Sequence, residues 1–399
     1  MKVIVAGYMI RYPLAGMMMA FFHYVLGLDR LGHQVIYVEE SGWPDACYNP
    51  RNHHFSNDPS AGLDTLMRLA DRFGLRSMPV CYVDRESGEV SGLSMVGLRG
   101  HLASADLLLN IGGTCSLPEF ELCRRRALID MDPMFTQAGR FAGDNLLGFH
   151  AHFSYGANIG FPECSVPDAG LQWIPTVPPV VPELWSDQPV EPAKSAALTT
   201  VCNWGAYGAI DYAGEHYGQK DEEFLQLRDM PLRSPEPLEI ALSGADAAMQ
   251  AALRESGWKL RAAADVTIDF DAYADYIGRS RGEFSVAKHA YVKTNSGWFS
   301  DRSVCYLASG RPVILQDTGI GRWLPGSPAV LTFSTPEQAL ECLQSLRIDY
   351  PVRCRSAREL ARDCFGYAVV LPRLLENAFS STSVDTGNPV SDPNIEVEI

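Results

Sequence analysis

The sequence predicts an α/β protein made of two doubly wound halves. Three observations carry that expectation. The chain opens as strand, helix, strand. A second series of apolar strands alternating with helical patterns begins near residue 197. A proline-rich stretch separates the two. With 399 residues, 46% of them hydrophobic and 20% charged, the chain has material for two cores and is far too apolar for a disordered one. The expected division is a first domain over 1–185, a linker over 186–196 and a second domain over 197–355. A C-terminal helix over 356–379 and a mobile tail over 380–399 complete it.

Val3-Ile4-Val5-Ala6 has the short, wholly apolar character of a strand covered on both faces. Gly7 to Gly16 reads as a loop, and a helix follows to Leu31, ended by Gly32. Val35-Ile36-Tyr37-Val38 is the second strand, so a right-handed parallel crossover is expected. Leu63 to Phe73 is amphipathic. Pro79–Val83, Leu107–Ile111 (ending in Gly112-Gly113) and Ala127–Ile129 (ending in Asp130-Met131-Asp132) continue the alternation. Pro175, Pro178, Pro179, Pro182, Pro189 and Pro192 mark an extended connector. Beyond it, Leu198–Cys202, Leu238–Leu242 and Pro312–Leu315 read as strands. Thr335-Pro336-Glu337-Gln338 reads as a capped helix start, and Ser356 to Phe379 as one long helix.

Composition excludes several functions. The balance of 33 Lys+Arg against 48 Asp+Glu gives a formal charge of −15, which argues against a nucleic-acid binder needing a basic face. The ten cysteines include no CxxC and no zinc-finger spacing, so reduced and mostly buried thiols in a cytoplasmic protein are expected. Tyr12 to Leu28 has no charged residue, yet it is shorter than a membrane span and holds Pro13, Gly16, His23 and Gly27. A buried helix, with no stable membrane insertion, is the expectation. Oligomeric state is not legible.

The stretch richest in chemistry is Gly282 to Gly319. Ser300 is placed to cap a helix whose first turn holds Asp301, Arg302 and Ser303. Free N–H groups, an arginine fork and hydroxyls there would suit a diphosphate. Glu283, Lys288 and Lys293 lie upstream, Ser296-Gly297-Trp298 forms a loop with a stacking aromatic, and Asp317 ends the following strand. An ordinary capped helix before a buried strand fits the same residues. Asn203 and Lys220 form a second cluster after the first strand of the second half. In the first half, Gly7, Arg11, Gly16, Gly112, Gly113 and Asp130 line the expected carboxyl edge. Asp132 is a candidate base, and so is His152, which alternates with His150 on one strand face. Asp130-Met131-Asp132 is a weak match to a metal-binding pair. Glu39 and Glu40 end the second strand where a dinucleotide fold places its acid, but the loop lacks GxGxxG.

The run Ala308-Ser309-Gly310-Arg311-Pro312-Val313-Ile314-Leu315-Gln316-Asp317-Thr318-Gly319, together with Leu28-x-x-Leu31-Gly32-His33-x-Val35, resembles the GT-B glycosyltransferases, a fold of two facing Rossmann-like domains. The resemblance implies transfer of a sugar from a nucleotide diphosphate sugar, the co-substrate, to a small-molecule or glycan acceptor, without a metal or resident cofactor. Arg302 would stabilise the departing diphosphate. Two glutamates common in such enzymes would fall at about Gly297 and Cys305, neither of which is acidic here. A nucleotide-sugar epimerase, a cyclitol-coupling enzyme and a non-catalytic nucleotide-sugar-binding protein are the alternatives.

Overall fold

A computed structural model describes residues 1–75, 77–139, 144–185, 192–193 and 195–380. Most of the expected linker and all but the first residue of the expected tail therefore lie outside the described residues. The first half is one eight-stranded sheet. Its strands are β1 (Lys2–Ala6), β2 (Gln34–Ser41), β3 (Val80–Asp84), β4 (Val90–Gly92), β5 (Leu107–Ile111), β6 (Arg126–Asp130), β7 (Ala151–Ser154) and β8 (Trp173–Pro175). They lie in the order β8-β7-β6-β5-β1-β2-β3-β4. All neighbours are parallel except β4, which pairs antiparallel with β3. The order reverses between β1 and β5, so the loops leaving these two strands flank a crevice at the carboxyl edge.

The second half is a six-stranded parallel sheet of β9 (Leu198–Asn203), β10 (Leu238–Ser243), β11 (Lys259–Ala262), β12 (Gly282–Ser285), β13 (Val313–Gln316) and β14 (Val330–Phe333). The order is β11-β10-β9-β12-β13-β14. The expected strands are all present. The sequence reading did not single out β12: its Gly-Glu-Phe-Ser composition looks polar, yet all four residues are buried.

Helix α1 (Ala15–Arg30) explains the uncharged run. It is buried on almost every side, from Ala15 and Met18 to Leu28. It lies against β2, against α2 (Phe270–Arg279) and α3 (Asp301–Ala308) of the second half, and against the last helix of the chain. A charge at its buried positions would be desolvated without a partner, and its own charges, Asp29 and Arg30, come only in the exposed last turn. Among the described residues no helix is long and apolar enough to cross a membrane.

The expected single C-terminal helix is two, α4 (Tyr350–Phe365) and α5 (Tyr367–Ser380). The break falls at Gly366. There the backbone leaves the ladder to pair with the proline-rich connector: Val180 N–H donates to Phe365 O and Tyr367 N–H to Val180 O, each at 2.8 Å. The connector is thereby pinned, and α5 returns to the first half, where Arg125 donates to Ala378 O at 2.6 Å. One hydrophobic cluster runs through both halves, with the fully buried Trp185 against Phe270 and Tyr273. All ten cysteines are free thiols.

The contact of α1 with α5 depends on Gly27. A Cβ there would lie 2.7 Å from both Tyr367 Cβ and Leu371 Cδ1. Gly27→Ala is therefore expected to push the returning helix away and cost about 1–3 kcal/mol, offset only in part by helix propensity. Urea unfolding checks this, and an unchanged midpoint would contradict the packing described.

Candidate functional site

The carboxyl ends of the two sheets face one another across a cleft, and its charges divide into paired and unpaired. On the second half, Arg302 heads α3 behind its N-cap, Ser300, whose Oγ accepts the Arg302 N–H at 3.2 Å. The Arg302 fork is committed. Nε donates to Glu283 Oε1 at 2.6 Å, Nη1 to Val201 O at 2.9 Å and Nη2 to Ser285 Oγ at 2.7 Å. Burial alone would lower its pKa, but Glu283 more than offsets that and keeps it charged. Glu283 is itself fully buried, with Oε2 lacking any hydrogen-bond partner. The two residues thus form a neutralised pair rather than independent ligand contacts.

Lys220 differs. It opens a short helix (Lys220–Gln226), and no hydrogen bond or ion pair to its ammonium is found among the described residues. Burial pushes its pKa down to about 8, aided by the like charges of Arg302 and Lys288 and opposed by Cys202 and Glu283. A cation beside two other cations, at the positive end of a helix, is the reverse of what stability favours. Asp221, Glu222 and Glu223 follow it in the same first turn.

Lys288 is the third cation. It bridges the cleft to Asp132 of the first half, with Nζ 2.9 and 2.8 Å from the two carboxylate oxygens. The Tyr291 hydroxyl donates to the same carboxylate, and Lys288 also reaches the Tyr207 hydroxyl. Rings of Phe135 and Tyr207 lie 4.6 and 4.4 Å from the ammonium. Asp132 is therefore a latch between the halves, not a free base.

Asn158 makes a second junction. Its N–H donates to Ser296 O at 3.0 Å, and its Nδ2 donates to Asn295 O and Gly319 O at 3.0 Å each. Gly297 has φ +75°, and a Cβ there would sit 2.7 Å from Asn158 Cγ, so glycine is needed for the close approach. Trp298 donates its indole N–H to Met131 O at 3.1 Å and packs its ring on Tyr291 at 4.5 Å. Asp317 accepts the Gly319 N–H at 2.8 Å. Ser296, Gly297 and Trp298, read from sequence as a ligand wall, belong instead to the joint between the halves, while Asp317 holds the turn to Gly319 within the second half.

Several further expectations are corrected. Arg11 is 1% exposed and folded into its own loop. The Glu39 carboxylate accepts the N–H groups of Met9, Ile10 and Arg11 at 2.7 Å each, the Tyr37 hydroxyl at 2.6 Å and Arg11 Nε at 3.1 Å. Arg11 thus closes the loop and offers nothing to a ligand. Asp130 is fully buried and accepts from Asp132 N–H, Thr136 Oγ1, Gln137 Nε2 and Ser154 Oγ, so it shapes the turn after β6 rather than lining the cleft. Burial pushes its pKa up, and those four bonds pull it back. His152 is 7% exposed. Its ring packs on Trp173, its Nε2 meets Leu146 O at 2.7 Å, and burial pushes its pKa down. It is a packed core histidine. Ser303 is fully buried with no partner for its hydroxyl. Lys293 is turned outward onto Glu215.

The remaining residues expected at the cleft are placed as follows. Gly7 lets the first loop pass Phe21, whose Cδ1 would be 2.7 Å from an added Cβ, and Gly16 faces Thr267 and Tyr273 of the second half. Gly112 and Gly113 leave β5 with φ +71° and +62°. Asn203 and Gly244 meet at the ends of β9 and β10. Asp301 is a cleft-side carboxyl with no ion pair found among the described residues. Burial raises its pKa, against Arg302 and the helix N–H groups, and its charge adds to the upward push on Tyr24 and Tyr155 of the first half. The Tyr24–Tyr155 pair, 2.9 Å apart, was missed in the sequence because nothing local links positions 131 residues apart. No group of three or more His, Cys, Asp or Glu placed for a metal is found among the described residues. A cavity of about 320 Å³ lined by Thr199, Glu239, Arg261 and Tyr276 sits toward the opposite ends of β9 and β10.

No family model matches the chain, and no curated protein matches it. Solved structures do. An α-glucosyltransferase in complex with UDP and a 13-mer DNA containing an A:G mismatch aligns over 95% of this chain and 99% of its own, with 10% identity and TM-score 0.60. The HepE protein of Anabaena, in complex with UDP and glucose, aligns over 95% and 100% with 11% identity and TM-score 0.57. A glycosyltransferase involved in avilamycin A biosynthesis aligns over 95% and 97% with 12% identity and TM-score 0.55. At such identities the likeness establishes the fold: two facing Rossmann-like halves in the GT-B arrangement.

The latch sets a prediction. Asp132→Asn removes the counter-charge of a mostly buried lysine and is expected to cost about 1–3 kcal/mol. It should also loosen the halves, read as a larger radius of gyration in small-angle scattering. Unchanged stability and scattering would contradict the latch.

Proposed function

We propose that the protein is a glycosyltransferase. It takes a nucleoside diphosphate sugar on the second half and passes the sugar to an acceptor on the first. The observation that carries the reading is the Lys220 ammonium, which feels the like charges of Arg302 and Lys288 and has no hydrogen bond or ion pair among the described residues, in a chain that is otherwise strongly acidic. Two cations already matched and one unmatched suit a ligand that brings negative charge to the cleft. The neighbours solved with UDP support uridine as the base to try first. One of them carries DNA, but a net charge of −15 favours a small-molecule or glycan acceptor for this chain.

In this reading the bond from the anomeric carbon to the diphosphate oxygen breaks, and charge grows on the leaving diphosphate. Lys220 meets that charge directly, and Arg302, held rigid by Glu283 and Ser285, adds fixed positive potential. The sugar passes through an oxocarbenium-like state. Asp301, whose charge is felt by Tyr24 and Tyr155 of the first half, is the carboxyl we assign to a sugar hydroxyl or a proton. The Asp132–Lys288 latch holds the cleft closed against water. The protein's own cations take the role a divalent metal plays elsewhere, so the UDP-induced shift is expected to survive EDTA.

Lys220→Met separates this from a structural role. Removing an unmatched, desolvated cation is expected to leave the free protein at least as stable, while abolishing most of the gain from UDP. For the wild-type chain that gain is about 2.7 kcal/mol at a hundred times the dissociation constant. Thermal unfolding with and without UDP checks both. A drop in the stability of free Lys220→Met, with the UDP shift retained, would overturn the assignment.

The pH dependence has a definite sign. The bound diphosphate favours the ammonium form, whose pKa in the free protein is about 8. UDP affinity is therefore expected to hold below that pH and fall above it, by up to about tenfold per unit. Titration calorimetry across this range checks it, and Lys220→Arg, always charged, should flatten the fall.

A further inference from the structure

The first half carries a run of rings that the donor site does not use. Tyr8 and Tyr12 stack with centroids 6.4 Å apart and planes 28° apart. Tyr12 stacks on Tyr48 at 5.1 Å and 27° and on Phe55 at 6.4 Å and 27°. At the other end the Arg11 guanidinium lies 4.3 Å from the Tyr8 ring and 5.2 Å from the Trp43 ring. The run joins the loop leaving β1, the residues after β2 and the hairpin Cys47–Asn49/His54–Ser56, which the Tyr48 N–H pins to Arg11 O at 2.8 Å. Its ends are open: Phe55 is 45% exposed and Trp43 51%. Large aromatic surface held rigid and left in water is costly for a fold and useful for a ligand.

Position and charge narrow the ligand. β1 and β2 both end here, at the carboxyl edge where α/β sheets bind their ligands, on the half opposite Lys220. Arg11 is already neutralised by Glu39. The hairpin's own cation, Arg51, is flanked in sequence by Asp45 and Asp58, so the face has no positive excess to hold a polyanion. The polar groups beside the rings are the Tyr48 hydroxyl and His53, bonded to each other at 2.9 Å. An aromatic face edged by hydroxyl and imidazole matches a pyranose ring, whose C–H groups form an apolar face inside a polar rim. We infer that this run is the acceptor platform and that the acceptor is an uncharged glycan whose rings lie on Phe55 and Trp43. The inference rests on the glycosyl-transfer reading above and gives it an acceptor class.

The test is titration calorimetry of the full chain, in the presence of UDP, with neutral gluco-, xylo-, manno- and chito-oligosaccharides and with oligothymidylate. Saturable binding of at least one oligosaccharide is expected, weakened roughly 3- to 10-fold by Trp43→Ala and by Phe55→Ala, the scale of one aromatic contact. Both variants should keep the wild-type thermal shift with UDP, which shows that they fold. Three outcomes overturn the inference: no oligosaccharide binds while UDP does, the variants bind sugar as the wild type does, or oligothymidylate binds in the sugars' place. Glycan binding without any UDP shift would instead overturn the donor reading and leave the platform standing.

Discussion

The architecture depends on burying one helix that carries no charge before its last turn. In Ala15–Arg30 the residues from Ala15 to Leu28 are uncharged and mostly buried, and elements from both halves cover them. The first sheet takes one side, Phe270–Arg279 and Asp301–Ala308 of the second half take another, and Tyr367–Ser380 comes back to close the rest. The break at Gly366, the pinned connector around Val180 and the shared cluster around Trp185 follow from that need. Hydrophobic burial thus fixes how the two sheets face one another, and so what their carboxyl edges bring together.

Within that frame, electrostatics sorts the cleft. Charges that the fold needs are matched with short hydrogen bonds: Arg11 with Glu39, Arg302 with Glu283, Lys288 with Asp132. Such pairs are there because an unmatched buried charge is costly. Lys220 breaks the pattern, and sites that break local stability rules are where function is expected. The same reasoning separates the two kinds of carboxyl. Asp130, satisfied four times over, shapes a turn, while Asp301 has no ion pair among the described residues and is held by the backbone N–H groups at the helix start and the charge of Arg302.

Much of the fold was legible because local signals and tertiary structure agree. The apolar runs at Val3–Ala6 and Leu107–Ile111 became central strands. Gly32 ends its helix with φ +82°, and Ser300 and Thr335 cap theirs as read. Legibility failed where a residue's meaning lies in a distant partner. Glu283 and Ser285 make β12 look polar only because they serve Arg302. Lys288 and Asp132 are 156 residues apart, and nothing near either names the other. Trp298 and His152 looked like ligand groups because aromatic and imidazole side chains in a loop or on a strand suit that role equally well. Their indole and ring nitrogens are instead spent on Met131 and Leu146. Composition showed the acidity of the chain but not the local cluster of cations within it, which exists only after folding.

The most direct measurement is a crystal structure of the protein with UDP. The account predicts the diphosphate in the cleft with an oxygen within hydrogen-bond distance of Lys220 Nζ, Arg302 still on Glu283, and the Asp132–Lys288 latch intact. UDP bound away from Lys220, or a Lys220 ammonium turned to a protein carboxylate with the nucleotide elsewhere, would contradict it.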